Sequence, residues 1–379
     1  MARRVYLHIG APKTGSTYVQ NVLWSNRDRL AQTGILLPGS AVAQDQAMAD
    51  LRAAPWRDPE VYWTWDRLAE KARQWPGDVI ISNEGLGAAT GEQAARAVAS
   101  LGAGEIHVIV VGRDLWRTFP SFWQQSVRAR SGWRFEEFLR AVEEGRCEVF
   151  WENHTAVRML RRWGDLVPAQ RRHLVTVPAP GAPPEVLWQR FAGIVGIDDG
   201  RCELTAPAAN PSLGAAEIEL LRRVNRKLGD RYPLRTPYRR VVHRHLVDAV
   251  LKQRADQQRF GIGLDRADWV LDLADAQIKE LHDYPCRIVG DLDELRPAKL
   301  TPAGTPDAVD DDHLLDVAIE TIVDLLGHAQ TLDERAEQQP DDVLSRLKNR
   351  AAGGVKRRLR HVIRVAARTR WHRRYPPPF

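Results

Sequence analysis

The chain has 379 residues, of which 44% are hydrophobic and 27% are charged. A chain of this size buries a large core, as one large domain or two smaller ones. Its 27 glycines and 23 prolines exclude collagen-like and globally disordered proteins. The net charge of +6 hides an acidic segment and a basic segment that nearly cancel. Residues 1–302 carry +5, residues 303–345 carry −11 and residues 346–379 carry +12. Since the basic surplus lies in one tail, we expect no nucleic-acid partner.

The first two hundred residues alternate short β-branched runs with helical patterns. Strands are predicted at residues 5–9, 79–82, 106–111 and 174–177, and helices at 17–29, 91–100, 115–130 and 135–144. Each strand is a nearly continuous apolar run, which is typical of strands that are buried on both faces. The alternation predicts an α/β fold, with a parallel sheet flanked by helices and a helical C-terminal extension.

The domain organisation follows from composition and from prolines 297, 302 and 306. Residues 1–297 are predicted to form an α/β domain in which 206–297 is mostly helical, with no strands after about residue 217 and a helix over 241–257. Residues 298–345 form an acidic helical segment, and 346–379 form a basic tail that is amphipathic or disordered. One helical face of the acidic segment carries an apolar stripe, made of Leu315, Ile319, Ile322, Val323 and Leu326.

The basic tail has a helical apolar face of its own, formed by Val355, Leu359, Val362, Ile363 and Ala366. Such a helix suits peripheral contact with an anionic membrane surface, and the alternatives are pairing with the acidic segment or disorder. Three cysteines lie far apart in the sequence, at Cys147, Cys202 and Cys286. This spacing indicates neither a zinc site nor a disulfide framework, so we expect a cytoplasmic protein.

The most informative segment follows the first predicted strand, which ends at Gly10. A loop with Lys13 and Gly15 comes next, and Ser16 and Thr17 open a helix. Backbone N–H groups at a helix start bind anions, and a lysine adds positive charge. The loop is P-loop-like but is no Walker A motif, because Lys13 precedes Gly15 by two residues. The other interpretation is an ordinary strand-to-helix turn.

A second segment places Arg113 at the C-terminal end of strand 106–111, with Ser121 eight residues later. Ligands of open α/β sheets bind beyond the C-terminal ends of the strands, so Lys13 and Arg113 should converge. A guanidinium grips phosphate in a bidentate way. Two separate anion-binding motifs suit a nucleotide that is phosphorylated at both ends.

These segments resemble the sulfotransferase family. Pro12-Lys-Thr-Gly-Ser-Thr is similar to that family's 5′-phosphosulfate loop, and Arg113 with Ser121 is similar to its 3′-phosphate motif. The resemblance covers residues 1–205, and 206–297 more loosely, and ranks with the bacterial carbohydrate-type branch. It implies metal-free transfer of a sulfuryl group from 3′-phosphoadenosine 5′-phosphosulfate to a hydroxyl or amine of a glycan, lipid or small molecule. It also implies the donor-binding residues, Pro12, Lys13, Thr14, Gly15, Ser16, Thr17, Arg113 and Ser121.

Two residues are candidates for the chemistry. Lys13 would stabilise charge on the bridging oxygen. Glu84 follows strand 79–82 at the same sheet edge and would be the general base, unless it only caps the next helix. Of the histidines, His8 is expected in the core, whereas His154 is expected at the surface or lining an acceptor cleft.

Four tryptophans at positions 56, 63, 65 and 75 are expected to be core residues or, alternatively, an acceptor platform. Two rival functions stay open. One is an ATP-dependent P-loop kinase, although the adjacent Gly-Lys-Ser/Thr and a magnesium carboxylate are not recognisable in the sequence. The other is a catalytically inactive nucleotide-binding or scaffold protein.

Overall fold

A computed structural model describes residues 2–57, 61–102, 104–204, 212–232, 235–301 and 303–337. The predicted basic tail, 346–379, lies outside these residues. The strands are β1 (Arg4–Gly10), β2 (Ile35–Leu36), β3 (Asp78–Ser82), β4 (Glu105–Gly112), β5 (Arg172–Thr176) and β6 (Arg287–Val289). The helices are α1 (Ser16–Ser25), α2 (Arg27–Gln32), α3 (Ala41–Leu51), α4 (Trp65–Gln74), α5 (Gly91–Leu101), α6 (Leu115–Arg128), α7 (Phe135–Glu143), α8 (Glu148–His154), α9 (Ala156–Met159), α10 (Glu185–Val195), α11 (Ala215–Leu228), α12 (Arg235–Tyr238), α13 (Ala267–Asp283) and α14 (Asp311–Glu337).

The six strands form one parallel sheet in the order β2-β3-β1-β4-β5-β6. This confirms the predicted α/β class, a parallel sheet flanked by helices. The expectation that strands stop near residue 217 is wrong, because β6 pairs with β5. The sequence did not predict β2 or β6, because these strands are only two and three residues long. Two of the three residues of β6 are also exposed.

Two cores cover the two faces of the sheet, and β1 contributes to both. Val5, Leu7 and Ile9 pack into the core that contains α4 and α5. Tyr6 packs into the core that contains α1 and α10, and the His8 ring lies against Phe191 of α10. Alternate residues of a strand point to opposite faces of the sheet. A central strand with a core on each face therefore needs apolar residues at successive positions.

The tryptophans of residues 56–75 belong to the packing of the first core. Trp65 is fully buried and donates its indole N–H to Ser100 Oγ at 2.8 Å. Trp75 is partly buried and donates its indole N–H to the carbonyl of Gly34 at 3.0 Å. The core interpretation is therefore confirmed for Trp65, whereas Trp56, Trp63 and Trp75 are partly buried against this core.

The chain divides into two compact units. The first is Met1–Thr236 with Gln257–Val309 and contains the sheet; the second is Pro237–Asp256 with Asp310–Phe379. The predicted boundaries at 297 and 345 stay predictions. In the second unit the predicted helix over 241–257 is instead a π-helical segment, Arg239–Asp248, followed by a 3-10 turn.

Helix α14 of the second unit carries two apolar faces. One face is buried, with Leu314, Val317 and Thr321 nearly inaccessible to solvent. The predicted stripe forms the other face and is exposed, with accessible fractions from 51% to 67% at Leu315, Ile319, Ile322, Val323 and Leu326. Within the described ranges, no helix is long and apolar enough to cross a membrane.

Candidate active site

The loop after β1 is held in an unusual backbone conformation. Gly10, Lys13 and Gly15 have φ values of +82°, +67° and +84°, in the left-handed region that favours glycine. The loop is anchored at its start, where the Ala11 N–H donates to the carbonyl of Val111 at 3.3 Å. The Thr14 hydroxyl donates to the carbonyl of Ala11 at 2.6 Å. The Thr14 side chain therefore serves the fold of the loop rather than facing a ligand.

Helix α1 begins at Ser16 without a capping side chain and with no acidic residue in its first turn. Helices α3, α4 and α5 are capped by Ser40, Thr64 and Thr90, whereas α2, α8, α10, α11 and α13 lack a side-chain cap, as α1 does. The first N–H groups of a helix have no partner inside the helix. The start of α1 therefore leaves N–H groups and the positive end of a helix dipole at the loop that carries Lys13, which is the arrangement that binds an anion.

Arg113 follows β4 and reaches across to this loop. Its guanidinium donates from Nη1 to the carbonyl oxygen of Lys13, while its Nε is buried without a hydrogen-bond partner among the described residues. Burial, with the nearby Arg117 charge, lowers the pKa of Arg113 to about 10, against a raising effect of Asp114. The side chain therefore keeps its positive charge at neutral pH.

The sheet order explains why these two segments meet. From β1 the chain continues to β2 and β3 on one side of the sheet, whereas from β4 it continues to β5 and β6 on the other. Since β1 and β4 are neighbours, the connections diverge between them and open a crevice at their C-terminal ends. This is the switch point at which open α/β sheets bind ligands, and Lys13 and Arg113 lie on its two sides.

Glu84 joins the same loop from β3. It is the first residue of a 3-10 helix, Glu84–Ala88, and accepts a hydrogen bond at Oε2 from the Ser16 hydroxyl. The backbone of Gly10 lies so close that a Cβ built there would be 2.8 Å from Glu84 Cβ. The predicted base and the predicted anion loop are therefore in direct contact.

Three side chains that sequence reasoning missed hold the segment around Glu84. Buried Gln44 accepts from the Ser82 N–H at 2.9 Å, and Asn83 accepts from the Gly85 N–H at 2.8 Å. Arg162 donates to the carbonyls of Gly87 and Glu152. The run Asn83-Glu-Gly signals an Asx turn, but no local pattern marks Gln44 or Arg162, whose partners lie 38 and 75 residues away.

The predicted donor residues occupy different positions. Pro12 is partly buried in the loop and Thr17 is exposed on the first turn of α1. Ser121 lies on α6, partly buried, and no hydrogen bond within the described ranges joins it to the loop. Arg117 of the same motif turns back to Asp114, which caps α6. Direct contacts thus join Arg113 to Lys13 and Ser16 to Glu84, two pairs that share the loop after β1, and leave Ser121 apart.

The buried histidines are neutral packing residues. His8 contacts Ser82 Oγ at 2.8 Å through Nδ1, and burial lowers its pKa to about 4. His154 is buried against Phe122 and Phe150, and burial lowers its pKa to about 3. The expectation that His154 lies at the surface is wrong, because aromatic rings from two helices cover it. His8 is a core residue, as predicted.

Within the described ranges, no group of three or more His, Cys, Asp or Glu side chains is arranged to hold a metal ion. The sequence matches no protein-family model and no curated protein. Among solved structures, it is similar to a crystal structure of a sulfotransferase from Alicyclobacillus acidocaldarius, at 15% sequence identity and a TM-score of 0.37. The similarity covers 64% of this chain and 97% of that chain. A similarity at this level carries no argument about function. The functional argument rests on the site residues instead.

Proposed function

We propose that the protein is a sulfotransferase that moves a sulfuryl group from 3′-phosphoadenosine 5′-phosphosulfate to a hydroxyl or amine of an acceptor. One observation carries this proposal: Arg113 is bonded to the carbonyl of Lys13 across the switch point of the sheet. Two cationic, anion-binding segments thereby face one crevice, as a donor with two phosphate-type groups requires. The resemblance of both segments to sulfotransferase motifs supports the same donor.

In this proposal, the two segments bind different parts of the donor. The uncapped start of α1 and the Lys13 side chain suit the 5′-phosphosulfate, together with the exposed hydroxyl of Thr17. Arg113, with its unused Nε, suits the 3′-phosphate, and Ser121 would join it on α6. The hydroxyls of Thr14 and Ser16 are already bonded to Ala11 and Glu84, so they act by shaping the loop and orienting Glu84.

The chemistry follows from these positions. Glu84 takes the proton of the acceptor hydroxyl or amine as that atom bonds to sulfur. The bond between sulfur and the bridging oxygen breaks, and adenosine 3′,5′-bisphosphate leaves with that oxygen. Lys13 stabilises the negative charge that develops on the bridging oxygen. Ser16 holds the Glu84 carboxylate through one oxygen, which leaves the second oxygen for the acceptor proton.

The acceptor belongs to one of three classes, a glycan, a lipid or a small molecule. Incubation of the purified protein and a cell extract with radioactive donor would identify it as the molecule that becomes labelled. A parallel incubation with the Lys13→Ala variant is the matched control, since labelling that persists there comes from other enzymes in the extract.

Thermal unfolding with added nucleotide tests the donor. Adenosine 3′,5′-bisphosphate is expected to raise the unfolding temperature by several degrees at concentrations well above its dissociation constant. The increase should disappear in Arg113→Ala. Stabilisation by ATP with magnesium, and none by the bisphosphate, would replace this proposal with a kinase. Stabilisation by the bisphosphate without any labelled product would favour an inactive nucleotide-binding protein.

A further inference from the structure

Helix α14 exposes an apolar stripe that a folded chain normally covers. The stripe residues, Leu315 to Leu326, are more than half exposed, while the opposite face of the helix is buried. Contiguous exposed apolar surface on a soluble protein marks a docking site. The helix that carries the stripe is strongly acidic, because α14 has eight acidic residues and one basic residue.

The C-terminal tail repeats the pattern of the stripe with the opposite charge. The α14 stripe lies at positions 315, 319, 322, 323 and 326, and the apolar residues of the tail lie at 355, 359, 362, 363 and 366. The intervals are the same in both, at four, three, one and three residues. Charged residues correspond in the same way, because five acidic positions of α14 are each followed 40 residues later by a basic residue. The acidic residues are Asp316, Glu320, Asp324, Asp333 and Glu334, and their counterparts are Lys356, Arg360, Arg364, Arg373 and Arg374.

We propose that residues 355–374 dock as an amphipathic helix on the exposed stripe of α14 in the same chain. Every charge that flanks the tail's apolar face is basic, and the charges of α14 beside the stripe are acidic, although Glu320 already pairs with Arg254 at 2.6 Å. The match in charge therefore holds for either direction of the docked helix. The stripe of a second α14 would instead bring carboxylates against carboxylates, which is unfavourable.

The connecting segment permits this docking. In the sequence, 17 residues, 338–354, lie between α14 and the tail, and 17 residues span up to about 56 Å when a chain is extended. The 27 residues of α14 measure about 40 Å, so the tail reaches the stripe in either direction. A short linker also gives the tail an effective concentration in the millimolar range, which favours the same chain over a second copy.

Limited trypsin digestion tests the proposal, since the tail is rich in Arg and Lys. In the 379-residue chain at low salt, the sites between residues 356 and 370 are expected to be cut slowly. Ile322→Asp places a charge in the stripe at a residue that is 57% exposed, so the helix should still fold. Cleavage of the tail should then accelerate about tenfold or more, because proteolysis tracks the undocked population. High salt should have a similar effect.

A matched control is Val42→Asp, which changes an apolar residue of α3 that is 69% exposed and outside the stripe. Its tail should be cut as slowly as that of the wild type. Mass spectrometry of the fragments and circular dichroism of each variant separate tail release from unfolding.

Three outcomes would overturn the proposal. One is equal cleavage of the tail in the wild type and in Ile322→Asp. Another is protection that appears only at high protein concentration together with a dimer, which makes a second copy the occupant. The third is protection that requires vesicles of phosphatidylserine and phosphatidylcholine, which makes a membrane the partner. None of these outcomes bears on sulfuryl transfer, because neither the tail nor the stripe belongs to the proposed site.

Discussion

Lys13 holds a left-handed backbone conformation that costs a residue with a side chain about 1 kcal/mol or more. The same residue accepts a hydrogen bond from Arg113 at its carbonyl oxygen. A strained backbone at this position is consistent with a functional site, where fixed geometry matters more than local stability.

Substitution of Lys13 tests its part in the chemistry. Lys13→Ala should abolish transfer, because the charge on the bridging oxygen loses its stabiliser, while the protein stays folded. Turnover with radioactive donor and the far-ultraviolet spectrum measure the two effects. Lys279→Ala, an exposed lysine of α13, is the control and should retain full activity. Normal turnover in Lys13→Ala would remove this residue from the mechanism.

Glu84 should be essential for proton transfer but not for donor binding. Glu84→Gln keeps the size of the side chain and an oxygen that accepts from Ser16, yet it has no basic carboxylate. We expect transfer to slow by about 10²-fold or more, with an unchanged thermal shift by adenosine 3′,5′-bisphosphate. Glu92→Gln, at an exposed position of α5, should behave as wild type. An active Glu84→Gln variant would place the base elsewhere.

The sequence alone predicted Lys13, Glu84 and Arg113 as one constellation, because apolar runs define where parallel strands end and those ends share an edge. It did not predict the hydrogen bond from Ser16 to Glu84, or the support from Gln44 and Arg162, since these depend on the approach of distant segments. His154 was misjudged for the same reason. Its helix pattern does not reveal that Phe122, from another helix, covers it.

At the scale of the elements, the close approach of Gly10, at the end of β1, to Glu84 brings the loop after β1 and the segment after β3 together. Gly10→Ala adds a Cβ that meets the backbone and Cβ of Glu84 at 2.8–3.0 Å. It should destabilise the fold by about 1–2 kcal/mol for the left-handed backbone and a further 1–3 kcal/mol, about the cost of overpacking. Transfer should also fall, because Glu84 is displaced. Urea unfolding and turnover measure these effects.

Gly34→Ala separates the two contributions. Gly34 has a similar φ of +89°, but a Cβ there meets nothing within 4 Å. This variant should lose only the backbone contribution to stability and should keep its activity. If Gly10→Ala and Gly34→Ala lose equal stability and both retain turnover, the approach of Gly10 to Glu84 has no role in the site.

The long strands were predictable within a few residues, whereas β2 and β6 were not. Strands β1, β3 and β4 are buried on both faces and therefore appear as apolar runs in the sequence. The edge strand β6 pairs with β5 through its backbone, and two of its three side chains are exposed. Backbone pairing leaves no signature in side-chain composition, so edge strands of two or three residues are missed.

At the scale of the whole molecule, stability should fall on acidification because three histidines are buried in neutral form. Burial lowers the pKa of His8 and His173 to about 4 and that of His154 to about 3, with the His107 charge also acting on His173. In the unfolded chain these rings bind a proton near pH 6.5. Between pH 6.5 and 4 the unfolded state therefore binds more protons, and each histidine lowers the free energy of unfolding by about 1.4 kcal/mol per pH unit.

Urea unfolding at a series of pH values measures this slope. His8→Gln should make it shallower by about one proton, whereas His282→Gln, whose side chain is 81% exposed, should leave it unchanged. A free energy of unfolding that stays constant from pH 6.5 to 4 would contradict the expectation.

The central position of β1 constrains the order in which the molecule assembles. β1 is the first strand of the chain, but its partners β3 and β4 begin 74 and 101 residues later, as in the pairs Arg4 with Asp78 and Arg4 with Glu105. During synthesis, the loop that carries Lys13 emerges long before either neighbour. Its strand gains a second partner, and the proposed anion site gains Arg113, only when β4 is complete. Truncated or stalled chains that end before β4 therefore expose a bare, apolar strand edge, the kind of surface that chaperones bind and that drives aggregation.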